Sequence, residues 1–143
     1  MNSSELLTFL ANHPYLTGGW VVLFLLLVWS LIQGATSKVK AVSAQQAVFL
    51  MNQDNSVVVD IRASADFRKN HIAGAMNVSR EQILKGDLKN LEKHKDDPII
   101  VVCNVGQSAK VAASQLDKAG YNAVYVLTGG MQGWQDAGMP VKG

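Results

Sequence analysis

The hydrophobic pattern divides the chain just before Lys38. Upstream, residues 16–32 are almost wholly apolar, and the longer stretch over residues 6–37 contains no Asp, Glu, Lys or Arg. As a helix, this apolar run with its neighbours extends towards the roughly 30 Å thickness of a bilayer's hydrocarbon core. The predicted organisation is a short N-terminal tail over residues 1–15, a transmembrane helix over residues 16–33, a linker over residues 34–40 and a domain over residues 41–143.

Two other structures share such an apolar run, namely a cleaved signal peptide and a buried helix of a soluble domain. A signal peptide begins with a positive segment, whereas this chain carries Glu5 and no Lys or Arg before Lys38. A helix that is apolar on every face is rare inside a small domain. A membrane span is therefore favoured. Because Lys38 and Lys40 directly follow it, the positive-inside rule places the domain in the cytoplasm and the tail outside.

Downstream, short apolar runs alternate with segments of helical periodicity. The predicted strands cover residues 56–61, 75–78, 98–103 and 123–127. The predicted helices cover residues 44–51 with Ser43 as cap, 65–69, 79–95 with an interruption at Gly86, and the segment 107–120, in which Gly120 suits the C′ position. The apolar sides of the first and last helices are expected to include Phe49 and Val111. This alternation predicts an α/β fold with a mainly parallel central sheet flanked by helices.

Composition excludes several function classes. The net charge of +2, without clusters of Lys or Arg, argues against binding to nucleic acid. One cysteine excludes a disulfide framework and any multi-cysteine metal site. His13, His71 and His94 show no ligand spacing. We therefore expect no metal and no cofactor.

The single cysteine, Cys103, stands at the end of a predicted strand and shortly before a predicted helix. Ligands of parallel sheets bind beyond the carboxyl ends of the strands, where backbone N–H groups at a helix start favour an anion such as a thiolate. The loop N–H groups available for this are those of Asn104, Val105, Gly106, Gln107, Ser108 and Ala109. From these residues alone, Cys103 is either a reactive nucleophile or an inert buried thiol.

Three separate stretches resemble the rhodanese-like domain family. "VVVDIRASADFRKNHIAGAMNV" (57–78) resembles its upstream signature, "VVCNVGQSA" (101–109) its active-site loop, and "VYVLTGGMQGW" (124–134) its closing Gly-Gly-x-x-x-Trp motif. The match spans roughly residues 41–140 in the family's order and spacing. With its apolar segment, the whole chain resembles the membrane-anchored single-domain members of bacteria.

The resemblance implies a sulfurtransferase. In that chemistry the Cys103 thiolate attacks the outer sulfur of a donor such as thiosulfate, forms a persulfide, and passes the sulfur to a thiol or to cyanide. The loop amides of residues 104–109 would bind the substrate and stabilise the charged sulfur. Many active members carry Arg where this chain has Ser108, and Ala109 replaces a hydroxyl residue, so weaker binding of thiosulfate is expected. The missing Arg also argues against the related Cys-x5-Arg phosphatases.

Asp60, Arg62 and His71 belong to the upstream signature. Asp60 and Arg62 are expected to support the pocket, either by shaping its charge or by forming an ion pair that fixes a turn. His71 marks a structural turn in this family pattern and is not assigned as a base.

Three functions remain open at this point. The first is a membrane-anchored sulfurtransferase whose partners are a small sulfur donor and a thiol acceptor. The second is a weakly active or inactive rhodanese fold that serves as a membrane-tethered protein-binding module beside an integral membrane protein. The third is a redox sensor that forms a sulfenate. In each case, residues 16–33 would contact lipid in a single pass through the bacterial inner membrane, with the domain facing the cytoplasm.

Overall fold

The computed structural model describes residue 8 and residues 12–35, 38–53 and 55–143, and it divides into two units, Met1–Ser37 and Lys38–Gly143. The first unit contains helix α1, Pro14–Ala35, of 22 residues. A helix of this length extends about 33 Å. By length and composition it is compatible with a membrane anchor. Residues 36–37 of the predicted linker and most of the predicted tail lie outside the described residues.

The second unit is built on a sheet of five parallel strands in the order β1-β5-β4-β2-β3. The strands are β1 Lys40–Val42, β2 Val57–Asp60, β3 Met76–Asn77, β4 Pro98–Val102 and β5 Ala123–Leu127. The predicted α/β fold with a parallel sheet is confirmed. Strand β1 was missed, and its first residue, Lys40, lies in the segment predicted as a linker. Three residues that include an exposed lysine at a sheet edge carry little periodic signal.

Helices cover both faces of this sheet. They are α2 Ala44–Gln53, α3 Ser64–Lys69, α4 Arg80–Lys85, α5 Gln107–Lys118 and α6 Gly130–Asp136, with a short 3₁₀ turn at Glu92–His94. Because side chains alternate along a strand, β4 sends Ile99 and Val101 to the core shared with α4 and α5. It sends Ile100 and Val102 to the core shared with α2 and α6.

The prediction of one interrupted helix over residues 79–95 is wrong beyond Lys85. Gly86 takes a left-handed conformation with φ 76°, and the N–H of Asp87 bonds back to the carbonyl of Gln82. This geometry ends the helix. The chain then turns so that Leu91, which is fully buried, reaches the core.

Two predicted apolar contacts are also wrong. Phe49 is 59% exposed, since α2 packs through Ala44 and Ala47 and position 49 lies on the opposite side. Val111 is 48% exposed because the buried face of α5 consists of small residues and Leu116 at the helical spacing. The predicted cap is present, because the Ser43 hydroxyl accepts a hydrogen bond from the N–H of Gln46 at 3.3 Å.

Candidate active site

The loop after β4 curls around the thiol of Cys103. Cys103 directly follows the strand and is 3% exposed, and its Sγ accepts a hydrogen bond from the N–H of Gly106 at 3.0 Å. Gly106 caps α5 in a left-handed conformation with φ 95°, and a Cβ there would lie 3.2 Å from the nitrogen of Gly129. A side chain at this position would therefore crowd the loop.

The six loop residues predicted to bind substrate differ in burial. Asn104, Val105 and Gln107 are exposed, Ser108 is half-buried, and Gly106 and Ala109 are buried. Ala109 lies in the first turn of α5 and its side chain belongs to the core. Among the described residues, the amide of Gly106 is the one that donates to Sγ.

Helix α6 holds the loop from the other side. The N–H groups of Met131 and Gln132 donate to the carbonyl oxygens of Cys103 at 2.8 Å and of Asn104 at 3.1 Å. This contact requires glycine at position 130, because a Cβ there would collide with the carbonyl of Cys103 and lie 2.7 Å from that of Asn104. The closing motif thus fixes the shape of the loop.

Asp60 and Arg62 form a buried ion pair beneath the site. Arg62 Nη2 lies 2.7 Å from Asp60 Oδ2, and Nε lies 3.0 Å from Oδ1. Arg62 also donates to the main-chain oxygen of Asn70 at 2.6 Å, and Asn77 Nδ2 donates to the main-chain oxygens of Asp60 and Arg62. The pair therefore ties the end of β2 to the end of α3, and Arg62 also faces the cavity described next.

A cavity of about 300 Å³ opens beside the loop. It is lined by Arg62, Asp66, Lys69, Asn70, Asn104, Val105, Met131, Gln132 and Gln135. Cys103 is not among the lining residues, although the two residues that follow it are. The walls contributed by α3 and α6 were not predicted, because only the fold brings these two helices together at one cavity.

The cations of the cavity are paired with carboxylates. Arg62 binds Asp60, and Lys69 Nζ lies 3.6 Å from Asp66 Oδ1 in a solvent-exposed pair. Ser108, where many rhodanese-like proteins carry Arg, adds no charge to the loop. The site therefore combines a thiol whose sulfur accepts a hydrogen bond from an amide with a polar cavity whose lining cations are paired with carboxylates.

His71 is held by α3 and is not a cavity residue. Its Nδ1 lies 2.9 Å from the main-chain oxygen of Phe67, and the two rings stack at a centroid distance of 4.2 Å. In the part of the chain that the structure describes, no group of His, Cys, Asp and Glu is arranged for a metal ion.

Comparison with known proteins agrees with this geometry. Residues 43–137 match the family model of the Rhodanese-like domain. The uncharacterized protein YibN of Escherichia coli K12 is 39% identical over 137 residues, which cover 96% of each chain. The similarity thus includes the apolar helix as well as the domain.

Two further relatives match 68% and 72% of this chain. The thiosulfate sulfurtransferase GlpE of Pseudoalteromonas translucida is 35% identical over 98 residues, which cover 68% of this chain and 90% of GlpE. The crystal structure of a rhodanese-related protein from Thermoplasma volcanium superposes with a TM-score of 0.64 at 25% identity. That alignment covers 72% of this chain and 97% of the other.

Proposed function

This chain belongs to the rhodanese-like domain family, and from that premise we propose that it is a membrane-anchored sulfurtransferase that carries sulfur as a persulfide on Cys103. Its relatives include thiosulfate sulfurtransferases. The observation that carries the proposal is the 3.0 Å hydrogen bond from the Gly106 amide to Sγ, in a loop beside a polar cavity.

The reaction proceeds in two displacements at sulfur. The Cys103 thiolate attacks the outer sulfur of thiosulfate, the new S–S bond forms as the old one breaks, and sulfite leaves with the electron pair. The persulfide then gives its outer sulfur to cyanide or to a thiolate, and the Cys103 thiolate is the leaving group. The Gly106 amide donates to Sγ and so stabilises the Cys103 thiolate, which is the attacking group of the first displacement and the leaving group of the second.

The proposed location and orientation of the protein rest on helix α1 and the residues that flank it. Helix α1 has the length and apolar composition of a membrane span, and Lys38 and Lys40 follow it without a preceding Lys or Arg. These features support a single pass through the bacterial inner membrane with the domain in the cytoplasm. A lone thiol stays reduced in that compartment, as a nucleophile requires.

Thiocyanate formation from thiosulfate and cyanide tests this function. The full chain in detergent is compared with Cys103→Ser, which keeps the size of the side chain and removes the sulfur. We expect measurable turnover by the wild type and only the uncatalysed background with the variant. Equal turnover by both proteins would contradict the role of Cys103.

A second function, a membrane-tethered docking module, is supported by a different observation. The Cys103 side chain is buried and does not line the cavity, and the loop carries Ser108 in place of an arginine. A thiol that stays inaccessible would make turnover incidental. Failure of Cys103 to accept sulfur from any donor in a folded protein would favour this function over catalysis.

A further inference from the structure

Side-chain amides dominate the polar walls of the cavity beside Cys103. The four carboxamides are Asn70, Asn104, Gln132 and Gln135. Each carboxamide offers both hydrogen-bond donors and an acceptor, which is also the chemistry of a peptide group. The cavity is therefore suited to a ligand that presents both N–H and C=O groups.

Two of these carboxamides are not engaged within the protein. Asn70 accepts from Arg62 at 3.3 Å, and Gln132 donates to Asp136 at 3.0 Å. Among the described residues, no side-chain hydrogen bond is made by Asn104 or Gln135. Because both are exposed on the cavity wall, they can exchange water for a ligand without breaking a contact that supports the fold.

Charge and size argue against a small anion as the main occupant. The two lining cations already pair with Asp60 and Asp66, so an anion gains little from them. A volume of about 300 Å³ lies at the lower end of the range for small-molecule sites and far exceeds the volume of cyanide. Val105, which is 62% exposed at the loop, and Met131 add apolar surface.

We propose that the sulfur acceptor is a cysteine thiol carried by an extended peptide, whose main-chain groups bind the carboxamides of Asn104 and Gln135. This inference rests on the proposed function, since it names the acceptor for the persulfide on Cys103. The peptide thiolate attacks the outer sulfur of Cys103–S–SH, a new S–S bond forms, and the Cys103 thiolate leaves. The product is the peptide persulfide, and no external oxidant or reductant is consumed.

The test measures sulfur transfer from the loaded full chain in detergent, after loading has been verified by intact mass. The acceptors are acetyl-Gly-Cys-Gly-amide, mercaptoethanol at equal thiolate concentration, and cyanide. We expect transfer to the peptide to be about tenfold faster than to mercaptoethanol, the effect of one or two hydrogen bonds. Gln135→Leu should lower the rate with the peptide roughly fivefold relative to the rate with cyanide.

Gln45→Leu is the matched control, because Gln45 is an exposed helical glutamine on α2 that does not line the cavity. It should keep the wild-type ratio of peptide to cyanide rates. Equal rates with the peptide and mercaptoethanol, or an unchanged ratio in Gln135→Leu, would overturn the peptide acceptor. Absence of loading in the wild type would overturn the sulfurtransferase itself, and the mass measurement distinguishes the two failures.

Discussion

At the scale of single residues, the site depends on hydrogen bonding more than on charge. Within the described residues, the contact to Cys103 Sγ comes from a neutral amide, that of Gly106. The nearby cation Arg62 is bound by Asp60 in a buried pair. Position 108, at the start of α5, is where an added cation would change the behaviour of the loop most directly.

Ser108→Arg should increase the use of thiosulfate. A guanidinium at this half-buried position would bind the anionic end of the donor, and one charge-assisted hydrogen bond is worth about tenfold in kcat/KM. Steady-state thiocyanate formation measures the effect. Ser114→Arg, which adds the same charge to α5 beside a separate groove, is the control and should leave kcat/KM near the wild-type value. If a folded Ser108→Arg protein shows no increase in kcat/KM for thiosulfate, the missing cation at position 108 does not limit binding of the donor.

Tyr121 gives the domain a sensitivity to alkaline pH. Its side chain is buried, and its hydroxyl makes no hydrogen bond among the described residues. Burial, followed by the charge of Glu92, raises the pKa of Tyr121 above the ordinary value of 10.0. The folded state therefore holds the Tyr121 proton more tightly than the unfolded state does. The contribution of this difference to the free energy of unfolding is fully present below pH 10.0 and is lost as the pH rises through the raised pKa of the folded state.

Tyr121→Phe should therefore flatten the loss of stability at alkaline pH. At neutral pH the variant should lie within about 1 kcal/mol of the wild type, because the hydroxyl it removes has no partner. Denaturant unfolding on both sides of pH 10.0 measures the difference. Tyr125→Phe, at a half-buried position in β5, is the control. If the free energy of unfolding falls equally at alkaline pH in the wild type and in Tyr121→Phe, the loss does not come from ionisation of Tyr121.

At the scale of elements, the sequence predicts best what is strongly periodic. The continuous β-branched runs of β2 and β4, and the run of β5, predicted their strands to within a residue or two at each end. The same method failed over residues 87–95, where a tertiary contact, the burial of Leu91, decides the path of the chain. It also missed β1, whose pairing with β5 is a long-range contact.

Packing of α6 against the loop is the element-level contact that matters most for function. Gly130→Ala would drive a methyl group into the carbonyls of Cys103 and Asn104, so we expect a loss of stability greater than the roughly 1–2 kcal/mol of a left-handed residue, and lower sulfur loading. Unfolding curves and intact mass after thiosulfate measure both effects.

Gly138→Ala is the control that distinguishes the steric collision expected in Gly130→Ala from the strain of a left-handed backbone. Gly138 also has a positive φ, 71°, but a Cβ there meets nothing within 4 Å. This variant should show only the cost of the left-handed conformation and should load sulfur normally. Equal stability and loading in the two variants would show that the contact between α6 and the loop is not required.

At the scale of the whole molecule, the parallel sheet separates two ends of the domain. Lys38, whose N–H lies 3.3 Å from a carboxylate oxygen of Asp117 near the end of α5, precedes β1 at the amino edge of the sheet. Cys103 lies at the carboxyl edge of the sheet. The five residues of β4 span about 17 Å between the amino edge and this carboxyl edge. The thiol therefore lies at the edge of the sheet opposite the point where the chain enters the domain.

This architecture also explains how far the site could be predicted. Cys103 and its loop are contiguous in sequence, so a strand end, a glycine and a helix start made Cys103 a candidate, and the resemblance to the family favoured the reactive interpretation over an inert thiol. The cavity walls come from α3 and α6, which the topology brings together from distant positions, and Lys69 and Gln135 carry no local signal. Only the assembled fold shows that the cations are paired and that the free polar groups are amides.

The most direct test of the central claim is the intact mass of the full chain in detergent before and after exposure to thiosulfate. We expect the wild type to gain one sulfur atom that cyanide removes, and we expect no such gain in Cys103→Ser. No gain in folded wild-type protein, with thiosulfate or with a stronger sulfane-sulfur donor, would contradict the sulfurtransferase.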